Sequence, residues 1–269
     1  MKFKRRLIGC SVAIGIAVAL NGALAAEPAA SATQGTSSRP PTPAPKVDPQ
    51  AADLLTKACN ALGSADAFSF HAEVLFDEVL PSAVKVQFAG EINFAVQRPD
   101  ELAIEYQSDL GGKRLWYQDD TLTIFDQPHQ MYASLKVPGS VDAMLDQVSR
   151  SQHLTLPLSD LAYSDPCQRI RKQIIYGGYI GVNDVKGVAC DHLAFSSSKT
   201  DLQLWLDRSG KPVPRKVVIN YRSQPGSPQY IAVLSDWKFP REIASNRFRA
   251  DLPKDAKRIN FLKVKETQP

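Results

Sequence analysis

FSFHAEVLFDEVLPSAVKVQFAGEINFAVQ, residues 68–97, alternates strictly enough to decide the fold. Phe68, Phe70, Ala72, Val74 and Phe76 fall on one side of an extended chain. Ser69, His71, Glu73 and Asp77 fall on the other. Beyond Pro81, Val84, Val86, Phe88, Ile92, Phe94 and Val96 repeat the pattern against Lys85, Gln87, Glu91, Asn93 and Gln97. Successive side chains of a strand point to opposite faces. The spacing therefore predicts two long antiparallel strands with one apolar and one solvated side.

The parity continues outward from this pair. Leu102, Ile104 and Tyr106 carry it into a third strand, and shorter strands are expected at 113–118, 121–125 and 131–135. Gly111-Gly112, Asp119-Asp120 and Gln127-Pro128 supply the turns between them. After a gap it resumes at 179–182, 188–195, 202–206, 216–221 and 230–237, with a last strand near 258–264. In LQLWLDRSGKPVPRKVVINY, residues 202–221, Leu202, Leu204 and Leu206 oppose Gln203 and Trp205, and Val217, Ile219 and Tyr221 answer them from the next strand.

Helical spacing occurs in a few places. In residues 49–62, Ala51, Leu54, Leu55, Ala58 and Leu62 share a face, with Asp48 as cap, Pro49 in the first turn and Gly63 at the end. Val141, Met144, Leu145 and Val148 form a second such face behind Ser140. Residues 158–163 and 165–174 read as two short helices, the latter opened by Asp165 and Pro166. Together these elements predict a mainly β protein: one long antiparallel sheet with helices set against its apolar face.

Lys2, Lys4, Arg5 and Arg6 precede an apolar run over 7–20 that closes on Ala23-Leu24-Ala25-Ala26. This is the pattern of a cleaved signal peptide, residues 1–26. Leu7-Ile8-Gly9-Cys10 spells a lipoprotein box, but Cys10 stands at the start of the apolar run rather than after it. Residues 27–48, rich in Pro, Ala, Ser and Thr, read as a disordered tether, and 49–265 as the folded domain. The chain has a formal charge of +4, and the signal segment accounts for four basic residues with no acid. What remains is close to neutral, so the basic pI belongs to the signal segment and is no evidence for nucleic acid or an anionic membrane surface as partner; no nucleic acid is expected.

Chemistry-bearing patterns are sparse. There is no Gly-x-Ser-x-Gly elbow, and His71, His129, His153 and His192 lie apart. His71 beside Glu73 reads as a solvated pair. Cys190-Asp191-His192 places a thiol and an imidazole on one strand face without further ligands at zinc spacing. Gly177-Gly178-Tyr179-Ile180-Gly181 lacks the Lys and Ser/Thr of a phosphate loop and reads as turn glycines. Asp119 and Asp120 read as turn residues rather than catalytic carboxylates. No cofactor, metal or catalytic residue is expected. Once Cys10 leaves, Cys59, Cys167 and Cys190 remain, an odd number. Cys167–Cys190 and Cys59–Cys190 are both conceivable disulfides, and the shorter loop favours Cys167–Cys190.

The segments WYQDDTLTIFD (116–126), PLSDLAYSDP (157–166), GVACDHLAF (187–195), LQLWLD (202–207), PVPRKVVINY (212–221) and PQYIAVLSDWKF (228–239) resemble a family of exported bacterial proteins described only as predicted periplasmic proteins. That family is grouped with carriers of the LolA/LolB and LppX type. The resemblance implies a curved antiparallel half-barrel with helices on its concave apolar face, a place for lipid or lipoprotein acyl chains. On that reading Phe70, Val74, Phe76, Phe88, Ile92, Phe94, Ile104, Tyr106, Leu202, Leu204 and Leu206 line the ligand face. The same alternation fits a plain packed core equally well. The expected function is that of a periplasmic carrier or binding protein for an apolar ligand, touching the membrane only transiently. The alternative is an envelope sensor or assembly factor that binds a protein partner.

Overall fold

The computed structural model describes residues 46–137, 139–152 and 158–261. The signal segment 1–26, most of the tether, His153 and the end of the last predicted strand lie outside the described residues.

In chain order the elements are β1 (Lys46–Val47), α1 (Pro49–Gly63), β2 (Ala67–Val79), β3 (Lys85–Gln97), β4 (Glu101–Ser108), β5 (Gly111–Gln118), β6 (Thr121–Asp126) and β7 (Met131–Lys136). Then come α2 (Val141–Gln152), a 3-10 turn at Ser159–Ala162 and α3 (Gln168–Gln173). The second run of strands is β8 (Tyr176–Val185), β9 (Val188–Ser196), β10 (Asp201–Asp207), β11 (Pro214–Asn220) and β12 (Gln229–Lys238), followed by β13 (Lys257–Arg258). Among the described residues all thirteen strands belong to one open, curled sheet, ordered β1-β8-β9-β10-β11-β12-β2-β3-β4-β5-β6-β7-β13, antiparallel except that the two-residue β1 and β13 pair parallel with β8 and β7. Its two meanders meet where β12 pairs antiparallel with β2, Ala232 opposite Val74.

The expected parity holds across this sheet. Phe68, Phe70, Ala72, Val74 and Phe76 of β2 are buried in one large core with Ile92, Phe94 and Val96 of β3 and Leu102 and Ile104 of β4. The helices supply the other half of that core: Ala51, Leu55, Ala58, Cys59 and Leu62 from α1, and Val141, Met144, Leu145 and Val148 from α2. A sheet that must hide one face curls around the helices that cover it. A smaller cluster on the other side packs Phe248 against Ala95, Ala103, Trp116 and Phe125.

Local chemistry sets the ends and turns. Asp48 caps α1 by accepting from the Gln50 N–H at 2.8 Å, with Pro49 in the first turn. Asp119 and Asp120 both adopt positive φ, 49° and 54°, and form the β5–β6 turn, as expected of Asp where the left-handed region is required. Ser140 accepts from the Ala143 N–H at the start of α2.

Several expectations are corrected. Residues 158–163 give a 3-10 turn rather than an α-helix, and α3 begins at Gln168, behind Asp165 and Pro166. Val84 lies beyond β3, on the β2–β3 tip, and is 55% exposed. His71 pairs across the strands with Asn93 (3.0 Å), while Glu73 pairs with Lys186 (2.5 Å). Gly177 and Gly178 lie inside β8 rather than in a turn. A Cβ on Gly177 would sit 2.5 Å from the Phe195 ring, so glycine is required by close packing. The disulfide joins Cys59 to Cys167, and Cys190 is a buried free thiol. Cys190 and Cys167 belong to opposite sides of the sheet: Cys190 packs with Val185, Trp205 and Val218 on the convex side. Cys190 has the opposite parity to Leu193 and Phe195 of the same strand, which belong to the concave core, so its thiol points away from the helices.

Candidate ligand-binding face

Cross-strand register lays the concave side chains in rows. One row runs Phe195, Leu202, Ile219, Tyr230, Phe76, Phe88 across β9, β10, β11, β12, β2 and β3. The next inward row, Leu204, Val217, Ala232, Val74, Gly90, is built of smaller residues towards β3. Further along lie Phe70, Phe94, Ile104 and Leu115. Phe70 stacks on Phe94 at 4.7 Å between ring centroids and meets Trp237 at 4.6 Å.

The two ends of the concave face differ. One is sealed by Arg98, whose guanidinium donates to the carbonyls of Leu62 (3.1 Å), Ala65 (2.5 Å), Ala162 (3.2 Å) and Tyr163 (2.8 Å). It lies 5.4 Å from the centroid of the Phe68 ring. Those carbonyls come from the C-terminal end of α1 and from the 3-10 turn, where helix ends leave acceptors without intrahelical donors. Burial lowers the Arg98 pKa, against a pull from Asp142 and Asp66. The other end carries the half-buried Phe88, Tyr106, Leu202, Ile219 and Tyr221. Beyond it, Leu80 and Val84 on the β2–β3 tip and Leu110 on the neighbouring turn are exposed.

All eleven residues expected to line a ligand face do fall on this one face. Phe70, Val74, Phe76, Ile92, Phe94, Ile104, Leu204 and Leu206 are buried within it, and Phe88, Tyr106 and Leu202 sit at its rim. Tyr230 and Tyr221 were not among them, although both occupy apolar positions of predicted strands. Burial holds the Tyr230 phenol far above its usual range, and Tyr106 and Tyr221 add to the effect. Tyr221 is pushed up to about 12, first by burial and then by Asp160. Burial also raises Tyr106. All three are therefore neutral hydroxyls in an apolar setting.

Two clefts lie elsewhere. One, of about 380 Å³, is lined by Arg114, Trp116, Asn246, Arg247, Arg249 and Asp251, with Arg114 paired to Glu105 at 3.0 Å. The other, of about 110 Å³, lies among Asp142, Asp146, Asp160 and Asp165. Asp142 there accepts from Ser164 N–H and O–H at 3.0 and 2.6 Å. Among the described residues no group of three or more His, Cys, Asp or Glu is arranged to hold a metal ion. His192 bonds Asn183 (2.8 Å) and Gln203 (3.0 Å) and stacks on Trp205, so its ring is fixed on the convex side.

Fold and site together define an open, mainly antiparallel half-barrel whose helix-covered concave face is sealed at one end and apolar at the rim of the other. The chain belongs to the family described as "Predicted periplasmic protein (DUF2092)", whose model matches residues 51–262. No curated protein matches it. Among solved structures it is similar to lipoprotein LppX of Mycobacterium tuberculosis, at 14% identity and TM-score 0.46, covering 73% of this chain and 100% of that one. It is also similar to a LolA superfamily protein of Nitrosomonas europaea, at 11% and 0.37, covering 74% and 97%. The MucA/MucB complex of Pseudomonas aeruginosa gives 15% and 0.40, covering 75% and 61%. Among the described residues no helix is long and apolar enough to cross a membrane.

Proposed function

We propose that the protein is an exported carrier or binding protein that takes an apolar ligand, an acyl chain or whole lipid, on its concave face through the rim of Phe88, Tyr106, Leu202, Ile219 and Tyr221. The observation that carries this is the asymmetry of the two ends. Arg98 ties helix ends and loops together at one, while the other presents a continuous apolar row that leads to exposed Leu80, Val84 and Leu110. Exposed apolar side chains next to an apolar face suit delivery to or from a membrane surface by brief contact. Entry of a chain requires the helical cover to yield, because Ala232 and Val74 of the concave face are buried. Native mass spectrometry of protein recovered from its own envelope tests the proposal. A co-purifying lipid is expected; a ligand-free protein that takes up no hydrocarbon dye would rule it out.

A second reading has its own observation. Among the described residues β8 pairs with β1 only at Tyr176 and Gly177 and is a sheet edge from Ile180 to Val185, with Ile180 58% and Val182 48% exposed. An apolar free edge can accept a strand from a partner protein. Pull-down with Ile180→Lys/Val182→Lys protein separates the readings: a strand-adding partner would be lost, and lipid uptake would persist.

A further inference from the structure

Three other phenols of this protein have acceptors. Tyr117 donates to the carbonyls of Val137 (2.9 Å) and Gly139 (3.0 Å), Tyr163 to Asp146 (2.9 Å) and Tyr179 to Asp191 (3.0 Å). The Tyr230 hydroxyl is buried and has no hydrogen-bond partner among the described residues. Its residue stands inward between Ile219 and Phe76, in the row that forms the rim. An O–H buried without an acceptor is costly, and phenylalanine at this position would fill nearly the same space without that cost. A donor kept at such a place is explained by an acceptor that arrives with the ligand.

We propose that the Tyr230 hydroxyl donates a hydrogen bond to a neutral carbonyl, the ester or amide oxygen of an acylated ligand, and that the rim thereby selects such molecules over free fatty acids and phosphate-bearing lipids. This rests on the apolar-ligand reading above. Tyr230 stands in a row whose other members, Phe195, Leu202, Ile219, Phe76 and Phe88, are all apolar. A carboxylate or phosphate at the Tyr230 hydroxyl would be desolvated and left without a cationic partner in that row. A neutral carbonyl pays neither cost and matches a phenol that stays protonated throughout the physiological range.

The experiment titrates the protein with three fluorescent probes: parinaric acid methyl ester, parinaric acid, and the hydrocarbon diphenylhexatriene. At pH 7.5 the ester is expected to bind about tenfold more tightly than the free acid, the scale of one buried hydrogen bond. Tyr230→Phe should lose about tenfold for the ester and nothing for the hydrocarbon. Tyr117→Phe, whose hydroxyl already has two acceptors, should leave the ester–acid ratio unchanged. The ratio in the unaltered protein needs no variant, so a folding defect cannot hide the answer. Equal binding of ester and acid, or an unchanged ester affinity in Tyr230→Phe while the hydrocarbon still binds, overturns the Tyr230 assignment and spares the carrier reading. If none of the three probes binds, both fall.

Discussion

Cys59, on α1, is bonded to Cys167, just before α3, with Cα atoms 5.7 Å apart and a sequence separation of 108. The bridge fastens the first helix of the cover to the segment that runs from β7 back to β8. Together with Arg98, it makes α1 and the region around Ala162 one unit.

Closing so long a loop removes a large share of the unfolded chain's freedom. The double variant Cys59→Ala/Cys167→Ala should lose about 4–5 kcal/mol under the chain-entropy model. Urea unfolding measures it, and a loss below about 1 kcal/mol would show that the bridge is dispensable.

The remaining thiol should be inert. Burial, then Asp207, lifts the Cys190 pKa to about 11, so little thiolate exists at neutral pH. Iodoacetamide should leave Cys190 unlabelled in the folded protein and label it fully in guanidinium without reductant, with Cys59 and Cys167 recovered as one linked peptide. Labelling of the native protein at pH 7, or any linkage to Cys190, contradicts this.

Arg98 serves four carbonyls from one planar group. Arg98→Ala should cost about 3 kcal/mol, since buried acceptors are left without donors. Arg98→Lys should recover less than half, because an ammonium cannot reproduce the fork. Thermal melting of the two variants checks both, and full recovery by lysine would mean that charge rather than geometry matters.

Asp207 holds the β10–β11 hairpin. It accepts from Ser209 N–H (2.7 Å), Ser209 O–H (2.6 Å) and Arg215 Nε (2.7 Å). Burial alone would raise its pKa, but these bonds and the Arg215 charge outweigh it, and the net shift is downward. A depressed carboxyl contributes stability that is complete above its unfolded pKa of about 3.9 and lost as pH falls through the folded value. Asp207→Asn should therefore cost about 2 kcal/mol at pH 7 and less at pH 2. An equal loss at both pH values would refute the linkage.

Local periodicity carried much of this protein. Phe68 to Phe76 and Phe88 to Val96 alternate because a strand has two faces, and an apolar face must leave water wherever it lies in the sheet. That is why the inward set, the two main helices and the Asp119-Asp120 turn were legible residue by residue. What sequence left open depended on contacts between distant segments. Gly63 reads as a helix stop, yet it remains in α1, where a Cβ would come within 2.7 Å of the Ser164 carbonyl, a hundred residues on. Cys59 and Cys190 are both buried cysteines in sequence, and only the packing of α1 on the concave side put one beside Cys167 and the other behind the sheet. Tyr230 alternates like any core residue, so its orphan hydroxyl has no signature in the chain. Whether a phenol finds an acceptor is decided by which carbonyls the folded neighbours bring within about 3 Å, and that is a property of tertiary structure alone.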